Sequence, residues 1–596
     1  MRTLEHFPNL VSIFFARARA NGDKPFLWHK AGGEWQPTSW AEAARQVASL
    51  AAGLKALGLK RGDRVMLVSE NRPEWCISDL AIMAAGCVTV PTYVTNTQRD
   101  HQHIMENSGA CAAIVSTAKL ARALIPAALH ASTPQKIIGI EDVRLLQPGS
   151  IEIHSWHQLI ADHPTSADAA AGEASFQRDD LACIIYTSGT GGAPRGVMQH
   201  HGAILHNVAG CSAVIAEDFG WGNEVFLSFL PLSHAYEHTG GQHFAIGLGG
   251  QIYYAEGLDK LAANIEEVRP TIMFVVPRLF EVLRTRITKA IEKQGGMAAY
   301  MLGKAIELGL KESEGRLRLT DRPAQLAVNK LFRPKIARRF GGRMKAMVSG
   351  GAPLNPEVGL FFQALGVTFL QGYGQTEAGP VISCNRPSAG VRMDSVGPPL
   401  ANTEVRIADD GEILVRGELV MHGYWRNEVE SARVLKDGWL HTGDIGLIDE
   451  AGRIKITDRK KDIIVNDKGD NVSPQKVEGM LTLQPEIAQA MIAGDRRPYL
   501  VAVVVVDPEW TQQWCAANRT ACDFKRLGED SAYRAALSAA VERVNRELAI
   551  PERVRRFILA DAPFTIENEQ LTPSLKIRRH VLREAYGERL DALYKG

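Results

Sequence analysis

Helix-like and strand-like stretches alternate along the chain up to about residue 160, and this rhythm restricts the fold more than any other feature of the sequence. Residues 40–60 place apolar side chains at helical spacing and close with a glycine stop. The following segment, RGDRVMLVS, is typical of a turn and then a strand. Strands that alternate with helices form parallel sheets with helices on their faces, so the first part of the chain is predicted to be α/β.

The later part of the chain changes character. After residue 395 short strand-like pieces lie between turns, and Asp409-Asp410-Gly411 is a hairpin signal, which predicts a small β subdomain. A charged segment at 457–471 precedes an apolar run and a helix-like run. At 596 residues the chain is too long for one core. We predict an α/β protein with a large N-terminal domain, residues 1–457, of layered α/β subdomains plus the β subdomain, and a small mobile α+β C-terminal domain, residues 458–596.

Two shorter segments are also interpreted locally. Residues 164–175, PTSADAAAGEAS, are small and polar and are predicted to form a surface loop. The apolar stretch at 76–94 contains Asp79 and breaks at glycine and proline, so it is interpreted as a core helix followed by a core strand instead of a membrane span.

Charge and cysteine content narrow the function classes. Lys and Arg total 68 against 67 Asp and Glu, which gives no basic excess for nucleic-acid binding. The eight scattered cysteines contain no CxxC pair, so they predict neither a zinc motif nor a disulfide framework, and reduced thiols in the cytoplasm fit best. The N-terminus lacks the layout of a secretory signal. Basic residues between 333 and 345 are interpreted as a solvated helix face, with an anion or membrane-surface site as the alternative.

The most informative single segment is YTSGTGGAPRGVMQHH at residues 186–201. An apolar strand runs into a loop of Thr, Ser and glycines and then reaches Arg195. Glycines let backbone N–H groups turn toward one point, hydroxyl groups add donors, and Arg195 adds a fixed positive charge. Such a loop suits a polyphosphate, although a plain turn is the alternative, and it is not a Walker A sequence because no Lys-Ser or Lys-Thr follows the glycines.

This segment resembles the phosphate-loop signature, usually YTSGTTGxPKG, of the adenylate-forming superfamily of acyl-CoA synthetases, peptide-synthetase adenylation domains and luciferases. Two residues depart from that signature, Gly191 in place of Thr and Arg195 in place of Lys, and Arg keeps the charge but not the point-like geometry. The resemblance implies the following ATP contacts in the loop: Thr187, Ser188, Gly189, Thr190, Gly191, Gly192 and Arg195.

A second segment, QGYGQTEAGP at 371–380, is similar to the superfamily's adenine and metal motif. The resemblance implies that Tyr373 lies beside adenine, that Thr376 contacts the α-phosphate, and that Glu377 with Thr190 holds Mg²⁺, a cation that prefers oxygen ligands. A tight glycine turn with a surface Glu is the alternative. Further nucleotide contacts are implied within this motif and within SGGAPL at 349–354: Gln371, Gly372, Gly374, Gln375, Gly350, Gly351, Ala352 and Pro353.

Two more motifs resemble the nucleotide site and the domain junction. Asp444, at the end of WLHTGD, matches the aspartate that accepts hydrogen bonds from both ribose hydroxyls, and a turn aspartate is the alternative. In TDRKKDIIVNDKGD, Arg459 matches an arginine near the ribose and phosphate, and Lys461 matches the hinge of the C-terminal domain. Gly469 matches the glycine-containing loop that in the family lines the thiol tunnel, at a spacing from the hinge one residue longer than in acetate-activating members. A bland charged linker is the alternative.

The catalytic lysine is placed near the C-terminus. Lys576 ends LTPSLK, which resembles the catalytic lysine segment of the fatty-acid branch, whereas a lone Lys in a basic stretch is otherwise a solvated surface residue. Attack of a carboxylate on the α-phosphorus brings two anions together, and negative charge builds on the phosphate oxygens. A cation at this position would stabilise that charge.

The acyl side rests on LPLSH at 230–234. The resemblance implies that His234 lies between acyl pocket and adenylate and that His238 stands where long-chain members have a bulky gate. A metal cluster is the alternative for these histidines and their neighbours, but no HExxH or similar spacing supports it. The neighbours are His200, His201, His206 and His243. Three further segments resemble the long-chain branch: residues 71–75, 90–97 and 275–281.

The resemblance covers about residues 25 to 590 and implies a two-step reaction. A carboxylic acid, expected to be a medium- to long-chain fatty acid, reacts with MgATP to give acyl-AMP and pyrophosphate, and coenzyme A then takes the acyl group. The alternatives are a ligase that loads a carrier protein and a non-catalytic acyl- or nucleotide-binding protein. We expect small-molecule partners and no nucleic acid, in a cytoplasmic protein. Peripheral contact at the inner membrane face, and the choice between monomer and homodimer, stay open.

Overall fold

The computed structural model describes residues 4–131, 133, 136–144, 151–187, 194–313, 315–572 and 576–595. In these ranges the strands are β1 (Pro25–Ala31), β2 (Glu34–Ser39), β3 (Arg64–Val68), β4 (Val88–Thr92), β5 (Ala112–Val115), β6 (Lys136–Gly139), β7 (Glu152–Ser155), β8 (Leu181–Thr187), β9 (Arg195–His200), β10 (Val225–Ser228), β11 (Gln251–Tyr254), β12 (Ile272–Val275), β13 (Ala346–Ser349), β14 (Phe369–Gly374), β15 (Val381–Cys384), β16 (Glu404–Ile407), β17 (Glu412–Arg416), β18 (Leu435–Lys436), β19 (Trp439–Ile448), β20 (Ile454–Arg459), β21 (Ile464–Val465), β22 (Asn471–Val472), β23 (Ile487–Ala493), β24 (Leu500–Val506) and β25 (Val554–Leu559).

The helices of the same ranges are α1 (Leu10–Asn21), α2 (Trp40–Ala56), α3 (Pro73–Ala84), α4 (Gln98–Ser108), α5 (Ala118–His130), α6 (Trp156–Asp162), α7 (Ala167–Glu173), α8 (His201–Asp218), α9 (Ala235–Glu237), α10 (Phe244–Leu248), α11 (Leu261–Val268), α12 (Pro277–Gln294), α13 (Gly296–Ser313), α14 (Arg322–Ala327), α15 (Arg333–Arg339), α16 (Pro356–Ala364), α17 (Glu428–Val434), α18 (Pro474–Leu481), α19 (Pro508–Asn518), α20 (Phe524–Leu527), α21 (Ser531–Glu547) and α22 (Arg579–Ala592). Two π-helical turns span His238–His243 and Val328–Phe332.

Two large sheets form the N-terminal domain. One has the strand order β7-β6-β5-β3-β4-β8-β9, and the other has the order β15-β14-β13-β12-β10-β11-β1-β2. Their inner strands are parallel, whereas β9, β15 and β2 pair antiparallel at the edges. Helices, including α1, α2 and α3, cover these sheets and share one apolar core with them. The predicted parallel α/β architecture is confirmed.

Local signals account for the ends of several elements. Helix α2 begins after Ser39, whose side chain accepts a hydrogen bond from the backbone N–H of Glu42, and the left-handed backbone of Gly58 follows its end. The apolar stretch at 76–94 forms most of α3 and then β4, both buried, as predicted. No helix in the described ranges is both long and apolar enough to cross a membrane.

The prediction of a loop at residues 164–175 is wrong. This segment contains α7, which begins after Ser166, whose side chain caps the backbone N–H of Ala169. An alanine-rich run has high helix propensity, and a serine N-cap satisfies one of the free donors of the first turn. Small polar composition was therefore a poor guide here, because the cap and the propensity both favour a helix.

The predicted β subdomain and C-terminal domain are present. Strands β16-β17-β19-β18 form a sheet to which β20 adds at β19, and the hairpin between β16 and β17 turns at Gly411. The C-terminal domain contains the sheet β23-β24-β25, with α18 and α21 packed on one face and α22 on the other. The chain thus combines a large layered α/β domain with a small α+β domain.

Candidate active site

One cavity of about 2810 Å³ lies between the two domains. It opens at the carboxyl ends of β8, β13 and β14, which is where open α/β sheets bind ligands. The cavity wall contains most of the residues that the sequence motifs single out: Thr187, Arg195, His234, Gly350, Gly351, Ala352, Pro353, Gln371, Gly372, Tyr373, Gly374, Gln375, Thr376, Glu377, Asp444, Arg459, Lys461 and Lys576. The remaining loop residues, Ser188, Gly189, Thr190, Gly191 and Gly192, lie outside the described residues.

A buried carboxylate marks one corner of the cavity. Asp444 on β19 lies directly opposite Arg459 on β20, and the Nε atom of Arg459 donates to its Oδ1 atom at 3.2 Å. The hydroxyl group of Tyr373, on β14, donates to Oδ2 at 2.7 Å. These two donors fix the orientation of the carboxylate. Each of its oxygens accepts one hydrogen bond, and the hydroxyl groups of a ligand could replace the present donors.

The backbone around Thr376 is held by two hydrogen bonds and a close backbone contact. Gln199, which is buried on β9, donates from Nε2 to the carbonyl oxygen of Thr376 at 2.7 Å. The N–H group of Gln375 donates to the carbonyl oxygen of Pro380 at 2.9 Å. A Cβ atom at Gly374 would collide with that same carbonyl oxygen, so this position requires glycine. The glycine of the motif therefore permits a close backbone approach that aims Thr376 and Glu377 at the cavity.

Glu377 and Arg195 are joined through an aromatic ring. The hydroxyl group of Tyr424 donates to Glu377 Oε1 at 2.8 Å, and the guanidinium of Arg195 lies 5.0 Å from the centre of the Tyr424 ring. Arg195 also donates from Nη1 to Glu430 Oε2 at 2.6 Å. The partners Tyr424 and Glu430 were missed by the sequence analysis. Only a Tyr-Trp pair and the Asn427 cap of α17 mark that segment, and neither signal points to an arginine more than two hundred residues away.

The C-terminal domain places Lys576 in this cavity. The backbone of Lys576 exchanges hydrogen bonds with Thr572, whose Oγ1 accepts from the Lys576 N–H at 3.0 Å. Burial lowers the pKa of the Lys576 ammonium to about 8, the positive charge of Arg459 acts in the same direction, and the carboxylates of Asp444 and Glu377 act against it. A cation from the C-terminal domain therefore lies near two carboxylates of the N-terminal domain.

The imidazole ring of His234 also lines the cavity, and it is neutral. Its Nδ1 atom accepts a hydrogen bond from the N–H group of Tyr236 at 3.2 Å, so the ring caps the start of α9. Burial lowers the pKa of His234 to about 3, and the nearby charge of Lys576 adds to the effect. At neutral pH the ring carries no charge and can contact either an acyl chain or a polar group.

An apolar arm extends the cavity behind His234. The hydroxyl group of Tyr236 donates to the carbonyl oxygen of Val348 at 2.8 Å, which turns the ring across the arm beside Gly350. The arm is lined by apolar side chains of α8, α10, the second sheet and the segment between β15 and β16: Cys211, Val214, Ile215, Phe244, Phe274, Leu370 and Leu400. This arrangement can hold a hydrocarbon group next to a charged nucleotide-sized site.

Two of the expected residues lie away from the cavity wall. His238 is fully buried against Asp79 of α3, with Nε2 2.9 Å from Asp79 Oδ2. Gly469 has a left-handed backbone in the turn between β21 and β22, and its N–H donates to the carbonyl oxygen of Asn466. His200, His201 and His206 do not share one cluster with His234 in the described residues, since each bonds to a different partner.

Comparisons with known proteins match both parts of the chain. The family description "AMP-binding enzyme" matches residues 14–425, and "AMP-binding enzyme C-terminal domain" matches residues 461–596. The chain is 33% identical to the long-chain-fatty-acid–CoA ligase FadD15 of Mycobacterium tuberculosis, over 99% of this chain and 98% of that protein. It is 32% identical to the peroxisomal long chain acyl-CoA synthetase 7 of Arabidopsis thaliana, over 94% of this chain and 82% of that protein.

Solved structures share the fold at lower identity. The adenylation domain of a carboxylate reductase from Mycobacterium chelonae superposes with a TM-score of 0.76 at 23% identity, covering 99% of this chain and 92% of that chain. The anthranilate CoA ligase AuaEII, in complex with anthranoyl-AMP, superposes with a TM-score of 0.71 at 19% identity and covers 98% of each chain.

Proposed function

This chain belongs to the AMP-binding enzyme family, and we propose that it is an acid–thiol ligase that activates a fatty acid with ATP and transfers the acyl group to coenzyme A. One observation carries the proposal. A single cavity joins an apolar arm, a nucleotide-sized polar site and a lysine from the C-terminal domain. This combination suits the formation of a mixed anhydride between a fatty acid and AMP.

In the first step the nucleotide lies along β14 and β19. The adenine ring lies beside Tyr373, between that ring and the backbone of residues 350–353, and the ribose hydroxyls donate to Asp444 in place of its present partners. Arg459 lies by the ribose and the α-phosphate. The glycine-rich loop, Thr187 and Arg195 contact the outer phosphates.

The acid enters through the apolar arm with its carboxylate beside His234. A carboxylate oxygen attacks the α-phosphorus, the bond between the α-phosphorus and the bridging oxygen breaks, and pyrophosphate leaves. Thr376 and the Lys576 ammonium stabilise the negative charge that builds on the phosphate oxygens. The neutral state of His234 avoids an ion pair that would hold the carboxylate away from phosphorus.

The donor set also fits Mg²⁺. Glu377 provides a carboxylate on the cavity wall, where its Oε1 atom accepts a hydrogen bond from the hydroxyl group of Tyr424. Glu377 with Thr190 would hold the ion, which supplies neutralisation of phosphate charge when bound. Glu377→Gln is then expected to raise the Mg²⁺ concentration needed for half-maximal adenylation. An unchanged Mg²⁺ dependence would remove Glu377 from the metal site.

In the second step the C-terminal domain, residues 458–596, turns about Lys461. Lys576 leaves the cavity, and the turn at Gly469 takes its place beside the acyl-AMP. The thiolate of coenzyme A attacks the carbonyl carbon, the bond from that carbon to the phosphate oxygen breaks, and AMP leaves with the electron pair. The position of Gly469 outside the cavity wall fits the first of the two arrangements.

A panel of acids from acetate to octadecanoate tests the function. With ATP and Mg²⁺, we expect pyrophosphate release with medium- and long-chain acids, and thioester formation once coenzyme A is added. Pyrophosphate release without a coenzyme A thioester would instead favour transfer to a carrier protein. Failure of every acid to release pyrophosphate would indicate a non-catalytic binding protein.

The proposal includes peripheral contact with the inner membrane face. In the helical segment α13–α15, Met297, Leu319 and Leu331 are 74%, 75% and 64% exposed, and exposed basic residues of α15 lie in the same segment. An exposed segment that carries both apolar and basic side chains suits an anionic lipid surface. We expect the protein to sediment with anionic vesicles more than with zwitterionic ones, and Leu331→Glu to weaken this while Ile550→Glu, at an exposed site in the other domain, does not. Equal binding of both variants would exclude this surface.

A further inference from the structure

A fully buried polar cluster lies behind the turn that follows His234. It consists of Asp79 on α3 and of His238, Gln242 and His243 on the π-helical turn His238–His243. Asp79, His238 and Gln242 are 0% exposed and His243 is 2% exposed. The cluster is separate from the cavity wall and has no part in the reaction proposed above.

The π-helical turn brings the two histidines together. In a regular α-helix, residues five apart point about 140° away from each other, because each residue advances by about 100°. A π-helical turn contains an extra residue and such turns recur at functional sites. His238 and His243 therefore share a face, with their ring centres 4.6 Å apart. Asp79, which lies on α3 and 159 residues before His238 in the sequence, contacts the same face.

The three side chains present their ligand atoms to one point. His238 Nε2 lies 2.9 Å from Asp79 Oδ2, His243 Nε2 lies 3.4 Å from the same oxygen, and the two Nε2 atoms are 3.2 Å apart. Tetrahedral zinc has bonds of about 2.0–2.2 Å to such atoms, which separates its ligands by roughly 3.3–3.5 Å. The observed triangle needs little expansion to reach that spacing.

Hydrogen bonds alone leave this cluster incomplete. Among the described residues, Asp79 Oδ1, His238 Nδ1 and Gln242 Oε1 are buried without a hydrogen-bond partner. Within the same ranges no lysine or arginine forms an ion pair with Asp79, whose charged partners are the two histidines. A buried carboxylate is costly unless it is paired or coordinates a metal, and unpaired buried polar atoms add to that cost.

We propose that Asp79, His238 and His243 bind a divalent cation of the zinc type, with the amide oxygen of Gln242 as the fourth ligand. Gln242 Nε2 lies 2.7 Å from Asp79 Oδ2, and the oxygen and nitrogen of such an amide are assigned from the hydrogen-bond network, so a flip turns the oxygen toward the ion. Zinc accepts imidazole nitrogens and carboxylate oxygens, and two nitrogens with two oxygens fill its four tetrahedral positions.

The ion would clamp α3 to the π-helical turn that directly follows His234 and Tyr236. The neighbouring Thr239 donates from Oγ1 to the carbonyl oxygen of Gly379 at 3.1 Å, which ties the same turn to the end of the Thr376 segment. Because the site is closed, the ion would be taken up during folding and would resist chelators in the folded protein.

A second group of possible ligands provides a matched control. Asp179, His200 and His422 also lie close together, but both ring nitrogens of His200 contact backbone carbonyl oxygens of Arg178 and Val420. A ring whose two nitrogens are already occupied is a poor metal ligand. His422→Asn therefore removes a histidine from a similar group without touching the proposed site.

The test is metal analysis of the full-length protein, purified from zinc-supplemented cells without a metal-affinity tag. We expect about one zinc ion per chain in the wild type and in His422→Asn, and loss of the ion in Asp79→Asn and His243→Asn. If the Asp79→Asn and His243→Asn variants both retained one zinc ion per chain, the assignment would be overturned. A metal-free wild type that takes up no zinc on refolding would also overturn it.

If the variants fail to fold, the wild type alone decides. Anomalous scattering measured at the zinc edge from crystals of the wild type should give a peak between Asp79, His238 and His243. A structure with no peak there, and with these side chains joined only by hydrogen bonds, would overturn the assignment of a metal site. Neither measurement uses catalytic activity, so the outcome is independent of the proposed ligase reaction.

Discussion

At the scale of single residues, the position of Lys576 changes the pKa of its side chain. Its ammonium lies near Arg459 and near the carboxylates of Asp444 and Glu377 of the other domain, and burial lowers its pKa to about 8. Lys576→Ala is expected to slow acyl-AMP formation by about 10²–10³-fold, as when one preorganised charge-stabilising group is lost. Conversion of supplied acyl-AMP to thioester should stay nearly unchanged. Single-turnover assays of each half-reaction measure this, with the exposed Lys595→Ala as control, and an equal loss in both would contradict the two-arrangement scheme.

The same pKa predicts a pH dependence. The ammonium form is present below the pKa and is lost as pH rises, so kcat/KM for adenylation should fall as pH increases through about 8. Lys576→Arg keeps its charge across this range and should remove the decline, even if its absolute rate is lower. A pH profile of pyrophosphate release for both proteins tests this. An identical decline in the arginine variant would assign the titration to another group.

Arg195 and Glu430 form a pair that should be tested together. Their 2.6 Å hydrogen bond holds the guanidinium over Tyr424, next to Glu377. Arg195→Lys loses the planar fork, and Glu430→Gln loses the charge that orients it, so each should lower kcat/KM for ATP by several-fold. The double variant should lose less than the product of the two effects, because residues in one network are not additive. Strictly multiplicative losses would show that Glu430 does not position Arg195.

At the scale of elements, the end of β14 depends on one glycine. Gly374→Ala would drive a Cβ atom into the carbonyl oxygen of Pro380 and displace the Thr376 segment. We expect a lower melting temperature and adenylation reduced by at least about tenfold, about 1.4 kcal/mol of barrier. Gly587→Ala is the matched control, since a Cβ there meets nothing within 4 Å in the middle of α22 and should keep or slightly raise stability. Normal activity in Gly374→Ala would mean that the strand end can adapt.

At the scale of the whole molecule, the proposed turn of the C-terminal domain requires backbone freedom at Lys461. Proline fixes φ near −65° and removes the N–H donor. Lys461→Pro is expected to keep acyl-AMP formation within a few-fold and to slow thioester formation by about tenfold or more. Separate half-reaction rates test this, with Lys461→Ala as the control for loss of the side chain. If Lys461→Pro supports both steps equally, the hinge lies elsewhere.

The sequence by itself determined the local elements and the residues of the motifs. Apolar spacing and a serine cap are enough for α2, and a hairpin signal is enough for the turn at Gly411, because capping and turn geometry depend on residues a few positions apart. The prediction of a loop at 164–175 was wrong although the relevant signals were also local. Ser166 and the alanine run favour a helix, but the prediction used only the small and polar composition of the segment.

Only the tertiary structure decided which distant side chains meet. It places Lys576 beside Asp444, pairs Arg195 with Glu430, and brings Asp79 to His238 and His243. No short motif encodes these contacts, because they arise from the packing of separate sheets, a π-helical turn and a second domain, and not from any periodicity along the chain. The chemistry of the cavity could be anticipated from local residues, but its geometry could not.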